Sequence, residues 1–379
     1  MTAAARRIVL YGATGYTGGL TAQAMLASGV RPVLAGRDQG RLNALAAQLA
    51  RDSDGLKLET AVAGSAEAGR LRELIGPGDV LVSTAGPFLK VGRPVVEAAV
   101  GAGAIYLDST GEAPFIRQVF EEFGPRAEST GAVLLTAFGY DYVPGNLAGA
   151  LALEAAGPAA ARVRVGYFVH GNVGKATSAG TRASIAGMLL EPGYSVRGGS
   201  IVTERTAAHV ASFEIDGTRR QAFSIGSSEH FALSRLRPEA PLTDVGVYLG
   251  SFGAASGLVP YAAALAAPFQ RMKSVRSFLD QQAQRIQDSR AAPSGEALRS
   301  DVVAVAADGH GSRLATVRLT GGEPYLFTAL VLAWAARTAA GHGVQPAGAL
   351  GPVEAFGLAS IERACAEAGF HRQPGSEGA

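Results

Sequence analysis

The chain has 379 residues, of which 47% are apolar and 17% are charged. This length allows two domains, and the composition excludes a disordered or fibrous protein. The 34 basic and 32 acidic residues are spread along the chain, so no basic surface for a nucleic acid is indicated. The single cysteine, Cys365, excludes an internal disulfide, and the six histidines show no zinc-site spacing, so we predict no metal and a reducing, cytoplasmic location.

Short apolar runs alternate with helical segments in the first part of the chain. We predict strands at residues 8–11, 32–35, 56–63, 79–83, 105–107 and 132–136, with helices at 18–28, 41–52, 66–75, 94–102 and 115–129. Six strands alternating with helices are typical of an α/β fold, the doubly wound parallel Rossmann sheet. Residues 1–145 are therefore predicted to form a dinucleotide-binding domain.

The pattern changes after about residue 145 to longer strands separated by hairpin turns. We predict these strands at residues 162–169, 201–215, 219–225, 302–307 and 313–319. They favour a second α+β domain over residues 146–322, built on a mostly antiparallel sheet and serving substrate binding and dimerisation. C-terminal helices over residues 323–366 are expected to pack back on the Rossmann domain, followed by a tail at 367–379.

One stretch, residues 245–270, carries no charge and is long enough to span a bilayer. Its four glycines and two prolines interrupt it repeatedly, so we predict a buried strand and helix at a homodimer interface or along an apolar substrate pocket. Peripheral membrane contact is kept as a minor alternative.

A glycine-rich motif, Gly12-Ala-Thr-Gly-Tyr-Thr-Gly18, lies between the first predicted strand and helix. Its glycines permit a tight turn and close approach of a pyrophosphate, which the helix N-terminus favours electrostatically. The hydroxyl groups of Thr14 and Thr17 can add donors. The cofactor-binding residues predicted here are Gly12, Thr14, Gly15, Tyr16, Thr17 and Gly18.

The end of the second strand distinguishes between the two nicotinamide cofactors. NAD-binding proteins usually place an acidic residue there for the ribose hydroxyl, whereas this chain has Gly36 followed by Arg37. Glycine leaves room for a 2′-phosphate and arginine meets its charge, so NADP(H) is predicted. Asp38 keeps dual specificity open as an alternative.

The segment after the fourth strand is predicted to lie beside the nicotinamide ribose, because ligands of such sheets bind at the carboxyl ends of the strands. The alternative is a simple loop built from turn residues. The residues concerned are Thr84, Ala85, Gly86 and Pro87.

Further motifs occur in a recognisable order: Gly86-Pro-Phe, Tyr106-Leu-Asp-Ser-Thr-Gly-Glu112, Gly139-Tyr-Asp-Tyr-Val-Pro-Gly-Asn146, Ser178-Ala-Gly-Thr181, Pro293-Ser-Gly-Glu296 and Gly321-Gly-Glu-Pro-Tyr325. Together with the glycine motif they resemble the saccharopine dehydrogenase-like reductases, including the trans-acting enoyl reductase branch, over nearly the whole chain. The resemblance implies an NADP(H)-dependent oxidoreductase that reduces a C=N or a C=C bond. The chain departs from the expected pattern at Tyr142, Gly145-Asn146 and Arg182, which flank the expected substrate cleft.

Candidate catalytic residues follow the last Rossmann strand. Tyr140 and Asp141 are predicted to supply or relay a proton, the alternative being that Asp141 caps a helix starting near Pro144 and Tyr140 packs at the domain boundary. A polar segment further on adds Lys175, Thr177 and Ser178 as substrate-binding residues and Thr181 as a catalytic residue, unless Ser178 or Thr181 only caps a helix. Asp108, Thr110 and Glu112 are expected to organise the cleft.

Three functions remain open at this point. The uncharged stretch favours hydride transfer to the C=C bond of a hydrophobic lipid- or polyketide-type substrate, free or linked to a carrier protein. The first alternative is reduction of an imine in amino-acid-derived metabolism. The second alternative is a non-catalytic NADP(H)-binding sensor or scaffold.

Overall fold

The computed structural model describes residues 6–51, 55–64, 68–171, 191–250 and 298–374. The chain divides into two compact units. Unit 1 comprises Met1–Thr110, Phe115–Val143 and Tyr325–Ser360, and unit 2 comprises Gly111–Pro114, Pro144–Pro324 and Ile361–Ala379.

Unit 1 contains a parallel sheet of short, apolar strands. The strands are β1 (Ile8–Tyr11), β2 (Val33–Gly36), β3 (Thr60–Val62), β4 (Val80–Ser83), β5 (Ile105–Asp108), β6 (Val133–Leu135) and β15 (Gly348–Ala349), in the order β15-β6-β5-β4-β1-β2-β3. Every residue of β1, β2, β4 and β5 is buried, as expected for a parallel sheet covered on both faces. The predicted Rossmann class is confirmed.

The helices in the described part of the chain belong to both units. They are α1 (Tyr16–Ala27), α2 (Gln39–Arg51), α3 (Ala68–Glu73), α4 (Phe88–Ala102), α5 (Ala113–Gln118), α6 (Gly124–Thr130), α7 (Val143–Ala156), α8 (Glu229–Arg235), α9 (Pro324–His342), α10 (Pro352–Phe356) and α11 (Leu358–Glu367).

Two predictions about unit 1 were wrong in detail. The sheet has seven strands rather than six, because the two-residue strand β15 pairs with β6 and is too short to show a period in the sequence. The helix predicted over residues 115–129 is interrupted by a π-helical turn at Val119–Phe123, after which α6 begins with Gly124 and Pro125.

Unit 2 contains a nine-stranded mixed sheet. Its strands are β7 (Arg162–His170), β8 (Pro192–Arg197), β9 (Ser200–Arg205), β10 (Val210–Ile215), β11 (Thr218–Ile225), β12 (Asp244–Leu249), β13 (Arg299–Ala307), β14 (Arg313–Gly321) and β16 (His371–Arg372). All pairs are antiparallel except β7 with β12. The predicted mostly antiparallel sheet is confirmed, but the single strand predicted at 201–215 is two strands, β9 and β10, divided at Ala207, whose φ is +57°.

The uncharged stretch of residues 245–270 is described only at its beginning. Residues 245–249 lie in the strand β12, and 251–270 lie outside the described residues. Among the described helices, none combines the length and apolarity needed to cross a membrane.

Candidate dinucleotide site

The glycine motif forms the loop between β1 and α1, where a methyl group would not fit. Gly12 has φ +82°, and a Cβ there would lie 2.8 Å from the amide nitrogen of Ala85. A Cβ on Gly18 would overlap the carbonyl oxygen of Gly12 and lie 2.8 Å from the Cα of Ala13. The loop is therefore held against its neighbours by glycines that allow close backbone contact.

The N-terminus of α1 is open to an anion. Its N-cap is Gly15, which has no side chain to cap the first amide groups, and the first turn contains no acidic residue. The amide groups of the first turn and the positive end of the helix dipole therefore attract negative charge. Tyr16 in this first turn is 44% exposed and its ring meets Tyr325 edge-on, with 5.1 Å between the ring centroids.

The end of β2 supplies positive charge and space. Arg37 is exposed and makes no ion pair with any described residue. A Cβ on Gly36 would meet only the side chain of Leu42, at 3.7 Å, which leaves room beside the strand end. Asp38 accepts a hydrogen bond from the backbone of Arg41 at 3.0 Å and so caps the start of α2. This use of Asp38 weighs against the alternative that it binds the ribose.

Arg41 is a residue that sequence reasoning missed. Its guanidinium donates a 2.9 Å hydrogen bond to the carbonyl oxygen of Thr14, which brings a second cation to the glycine loop. No sequence signal marked this contact, because Arg37 lies before α2, which begins at Gln39, and the two arginines therefore do not share a helix face. These residues fit the phosphate groups of NADP(H).

The segment after β4 is tied to the glycine loop. The Thr84 hydroxyl donates to the carbonyl oxygens of Tyr11 and Gly12 at 3.2 Å each, and the Thr84 amide donates to Tyr11 at 2.9 Å. The Thr84 side chain therefore positions the loop locally. Ala85 contacts Gly12 as described, and Gly86 and Pro87 lead directly into α4.

The loop after β6 is organised by a buried carboxyl group. Asp108 Oδ1 accepts hydrogen bonds from the amides of Thr110 and Ala137 at 2.9 Å each, and Oδ2 accepts one from the Thr136 hydroxyl at 2.8 Å. Burial raises the pKa of Asp108 to about 6, although these hydrogen bonds act in the opposite direction. Asp108 therefore holds this loop, and its role in organising a substrate cleft stays a prediction.

Tyr140 and Asp141 stand in this same loop. The Tyr140 amide donates to the Thr328 hydroxyl at 3.0 Å, and the Tyr140 hydroxyl is buried. Asp141 is exposed, yet the surrounding protein desolvates it and raises the pKa of its carboxyl to about 6. No described residue hydrogen-bonds to the Asp141 side chain, which weighs against the helix-cap alternative.

Unit 2 contains a buried polar cluster that sequence reasoning missed. It centres on the end of the loop after β11 and the first turn of α8, where Ser227, Ser228, Glu229 and His230 are all buried. The Tyr167 hydroxyl donates to Glu229 Oε1 at 2.6 Å, and the Asn146 amide donates to Ser228 Oγ at 3.0 Å. The signal available in the sequence was the run of four consecutive polar residues, 227–230, shortly after the strand β11. The predicted residues Lys175, Thr177, Ser178 and Thr181 lie outside the described residues.

The fold and the loop geometry define a dinucleotide-binding Rossmann protein with a site suited to NADP(H). Residues 8–135 match the family model described as the saccharopine dehydrogenase NADP binding domain. The first third of the chain is thus similar to a saccharopine dehydrogenase NADP binding domain, which confirms the predicted cofactor.

The chain is also similar to named relatives. It is 38% identical over 142 residues to a trans-acting enoyl reductase of Mycobacterium leprae, covering 37% of this chain and 34% of that protein. It is 38% identical over 151 residues to a putative trans-acting enoyl reductase of Mycobacterium tuberculosis, covering 39% and 36% respectively. The chain spans about a third of the length of the curated relatives it matches.

One solved structure shows the fold. The yeast saccharopine dehydrogenase (L-Glu forming) of Saccharomyces cerevisiae covers 97% of this chain and 99% of its own, with a TM-score of 0.58 and 12% identity. The resemblance predicted from the motifs is confirmed by the family model and the curated relatives, and the solved structure bears on the fold alone.

Proposed function

We propose that this protein is an NADPH-dependent reductase that transfers a hydride to the C=C bond of a hydrophobic substrate, either free or linked to a carrier protein. The observation that carries the proposal is the dinucleotide site, in which Gly12, Gly18, Arg37 and Arg41 suit NADPH. The similarity to proteins named trans-acting enoyl reductases supports the choice of a C=C bond.

NADPH supplies the hydride when it is bound, so the protein has to orient the substrate and provide a proton. Adding a hydride to one carbon of the double bond leaves the other carbon to take up a proton. Asp141 suits this task, because the residue is exposed and its pKa of about 6 leaves part of its carboxyl protonated near neutral pH. Tyr140 has a buried hydroxyl and a backbone held by Thr328, so it serves to position Asp141.

Thr181 stays a predicted catalytic residue, and Lys175, Thr177 and Ser178 stay predicted substrate-binding residues. Homodimerisation and a cytoplasmic location stay predictions as well.

The test is an assay of NADPH oxidation by the purified chain with an enoyl thioester of pantetheine and, separately, with a cyclic imine. We expect turnover of the thioester, with kcat reduced about a hundredfold or more in Asp141→Asn. NADPH affinity should stay unchanged, because Asp141 is not in the glycine loop. Since the proton donor must be protonated, kcat/KM should fall as the pH rises through about 6. This fall should be absent from the pH profile of Asp141→Asn.

Glu154→Gln is the matched control, because Glu154 is an exposed carboxylate on α7 and its replacement should leave the rate unchanged. Reduction of the imine but not the thioester would replace the proposed substrate class by the C=N alternative. Tight NADPH binding without turnover of either compound would indicate a sensor or scaffold.

A further inference from the structure

Unit 2 contains a cavity of about 280 Å³ where the sheet divides. The strand β12 pairs with β7 along its whole length, so β8 and β11 share its other edge. β8 pairs with Asp244 and Val245, whereas β11 pairs from Val247 onward. The two strands separate at Gly246, and the cavity lies at this junction.

Two buried side chains of the cavity lining each have one polar atom without a hydrogen-bond partner among the described residues. They are Ser195, 4% exposed, and His230, 1% exposed, whose orphaned atoms are Oγ and Nε2. The His230 ring is fixed, because its Nδ1 lies 3.1 Å from the carbonyl oxygen of Ser227 and its face meets Tyr194. A buried polar atom without a partner costs about 1–3 kcal/mol, so a hydrogen-bonding ligand is favoured at this position.

The lining carries excess positive charge. The lining contains three arginines, Arg162, Arg164 and Arg197, and two carboxylates, those of Glu204 and Asp244. Asp244 lies between two of the arginines, with its oxygens 3.4 Å from Arg162 Nε and 3.8 Å from Arg197 Nη1. The third arginine, Arg164, is exposed and makes no ion pair with any described residue. Guanidinium groups suit oxyanions because they offer several donors in one plane.

Tyr248 adds a hydroxyl group to the same lining. A Cβ on Gly246 would lie 2.9 Å from the Tyr248 hydroxyl, so the ring can fold along the strand only because glycine stands there. Burial raises the pKa of Tyr248, and the charges of Glu204 and Asp244 add to this rise, while those of Arg197 and Arg164 oppose it. Tyr248 therefore remains a hydrogen-bond donor at neutral pH.

We propose that this cavity binds a small organic oxyanion, a phosphoryl or carboxyl compound, as a second ligand of the protein. Arg164 and Arg197 hold its charged group, Tyr248 donates to it, and Ser195 and His230 bond to its remaining polar atoms. Its lining residues belong to unit 2, whereas the glycine loop belongs to unit 1. This inference does not depend on the proposed reductase activity.

The test is calorimetric titration of the NADPH-saturated protein with inorganic phosphate and, separately, with acetate, against sodium chloride of equal ionic strength. We expect saturable binding of at least one anion, and the tighter one identifies the phosphoryl or the carboxyl group. Arg164→Gln should raise the Kd about tenfold. Arg219→Gln should not change it, since Arg219 is an exposed arginine of unit 2 that does not line the cavity.

Ser195→Ala separates a binding role from a structural one. Without an added anion it should leave the unfolding temperature unchanged or raise it, because it removes an unsatisfied buried hydroxyl. With the anion it should lose part of the stabilisation that the parent protein gains. The proposal is overturned if the parent shows no saturable binding beyond the chloride blank, or if parent and Arg164→Gln bind equally tightly.

Discussion

The glycine loop of unit 1 and the polar cluster of unit 2 are built in opposite ways. In the loop, backbone atoms carry the site, and seven consecutive residues, from Gly12 to Gly18, supply most of it. In the cluster, side chains carry the site, and they come from segments as far apart as Asn146, Tyr167 and Glu229. The first kind of site can be recognised in a sequence because it is local, whereas the second appears only when the chain is folded.

The largest effect is expected from adding one methyl group to the loop. In Gly18→Ala the new Cβ overlaps the Gly12 carbonyl oxygen, so the helix N-terminus must move away from the pyrophosphate position. We expect NADPH affinity to fall by about a hundredfold or more, measured by nicotinamide fluorescence titration.

The neighbouring glycine provides the control. A Cβ on Gly19 would meet nothing within 4 Å, so Gly19→Ala should keep the affinity of the parent protein. Equal affinities for the two variants would show that the backbone approach at Gly18 does not hold the cofactor.

Most of unit 1 could be predicted from the sequence because its elements and its glycine loop are local in the chain. Buried parallel strands are continuous apolar runs, and the glycine spacing marks the turn between β1 and α1. Arg41 was missed because its role depends on how α2 leaves the sheet, which brings its guanidinium to the Thr14 carbonyl. The strand β15 was missed because two residues carry no periodicity.

The two units should also respond to pH with opposite sign. Asp108 has a folded pKa of about 6, above its ordinary value of 3.8, so the folded state binds more protons between pH 4 and 6 and this contribution to stability is lost as the pH rises. His230 has a folded pKa of about 4, below 6.5, so the unfolded state binds more protons and stability is lost as the pH falls through this window. Each contribution is of the order of 3 kcal/mol.

Urea unfolding between pH 4 and 7 measures these slopes. In Asp108→Asn, which keeps an acceptor for the two amides, the free energy of unfolding should rise more steeply with pH than in the parent protein. In His230→Gln it should rise less steeply or fall. Profiles parallel to that of the parent would contradict these assignments.

A second glycine tests the side-chain site of unit 2. A Cβ on Gly145 would overlap the Tyr167 hydroxyl and Glu229 Oε1, so Gly145→Ala must displace the buried hydrogen bond between them. We expect a loss of about 2 kcal/mol in the free energy of unfolding, with unchanged NADPH affinity in the folded protein. Adding Tyr167→Phe should recover part of the loss, because it removes the overlapping oxygen. If the effects of the two substitutions on the free energy of unfolding simply added, the overlap would be relieved elsewhere in the protein.

The buried polar cluster beside Gly145 illustrates why the side-chain contacts of unit 2 were harder to predict from the sequence. The sequence showed Gly145-Asn146 only as a departure from the expected motif, with no sign of its partners. The structure shows that Asn146 bonds to Ser228 and that Gly145 makes room for Tyr167, pairings that the long separations along the chain conceal.

The smallest effect in this series concerns the cofactor site and distinguishes the roles of its two arginines, Arg37 and Arg41. Arg37 makes no ion pair with a described residue, so Arg37→Gln should weaken NADPH binding about tenfold and leave NADH binding unchanged, because only NADPH carries the 2′-phosphate. Arg41 also holds the Thr14 carbonyl, so Arg41→Gln should loosen the glycine loop and weaken the binding of both nucleotides. Arg31→Gln removes an equal charge from an exposed residue just before β2 and should change neither affinity. If Arg37→Gln weakened NADH as much as NADPH, the arginine would act on the shared part of the nucleotide, and the choice of NADPH would have to rest on Arg41 and the space beside Gly36.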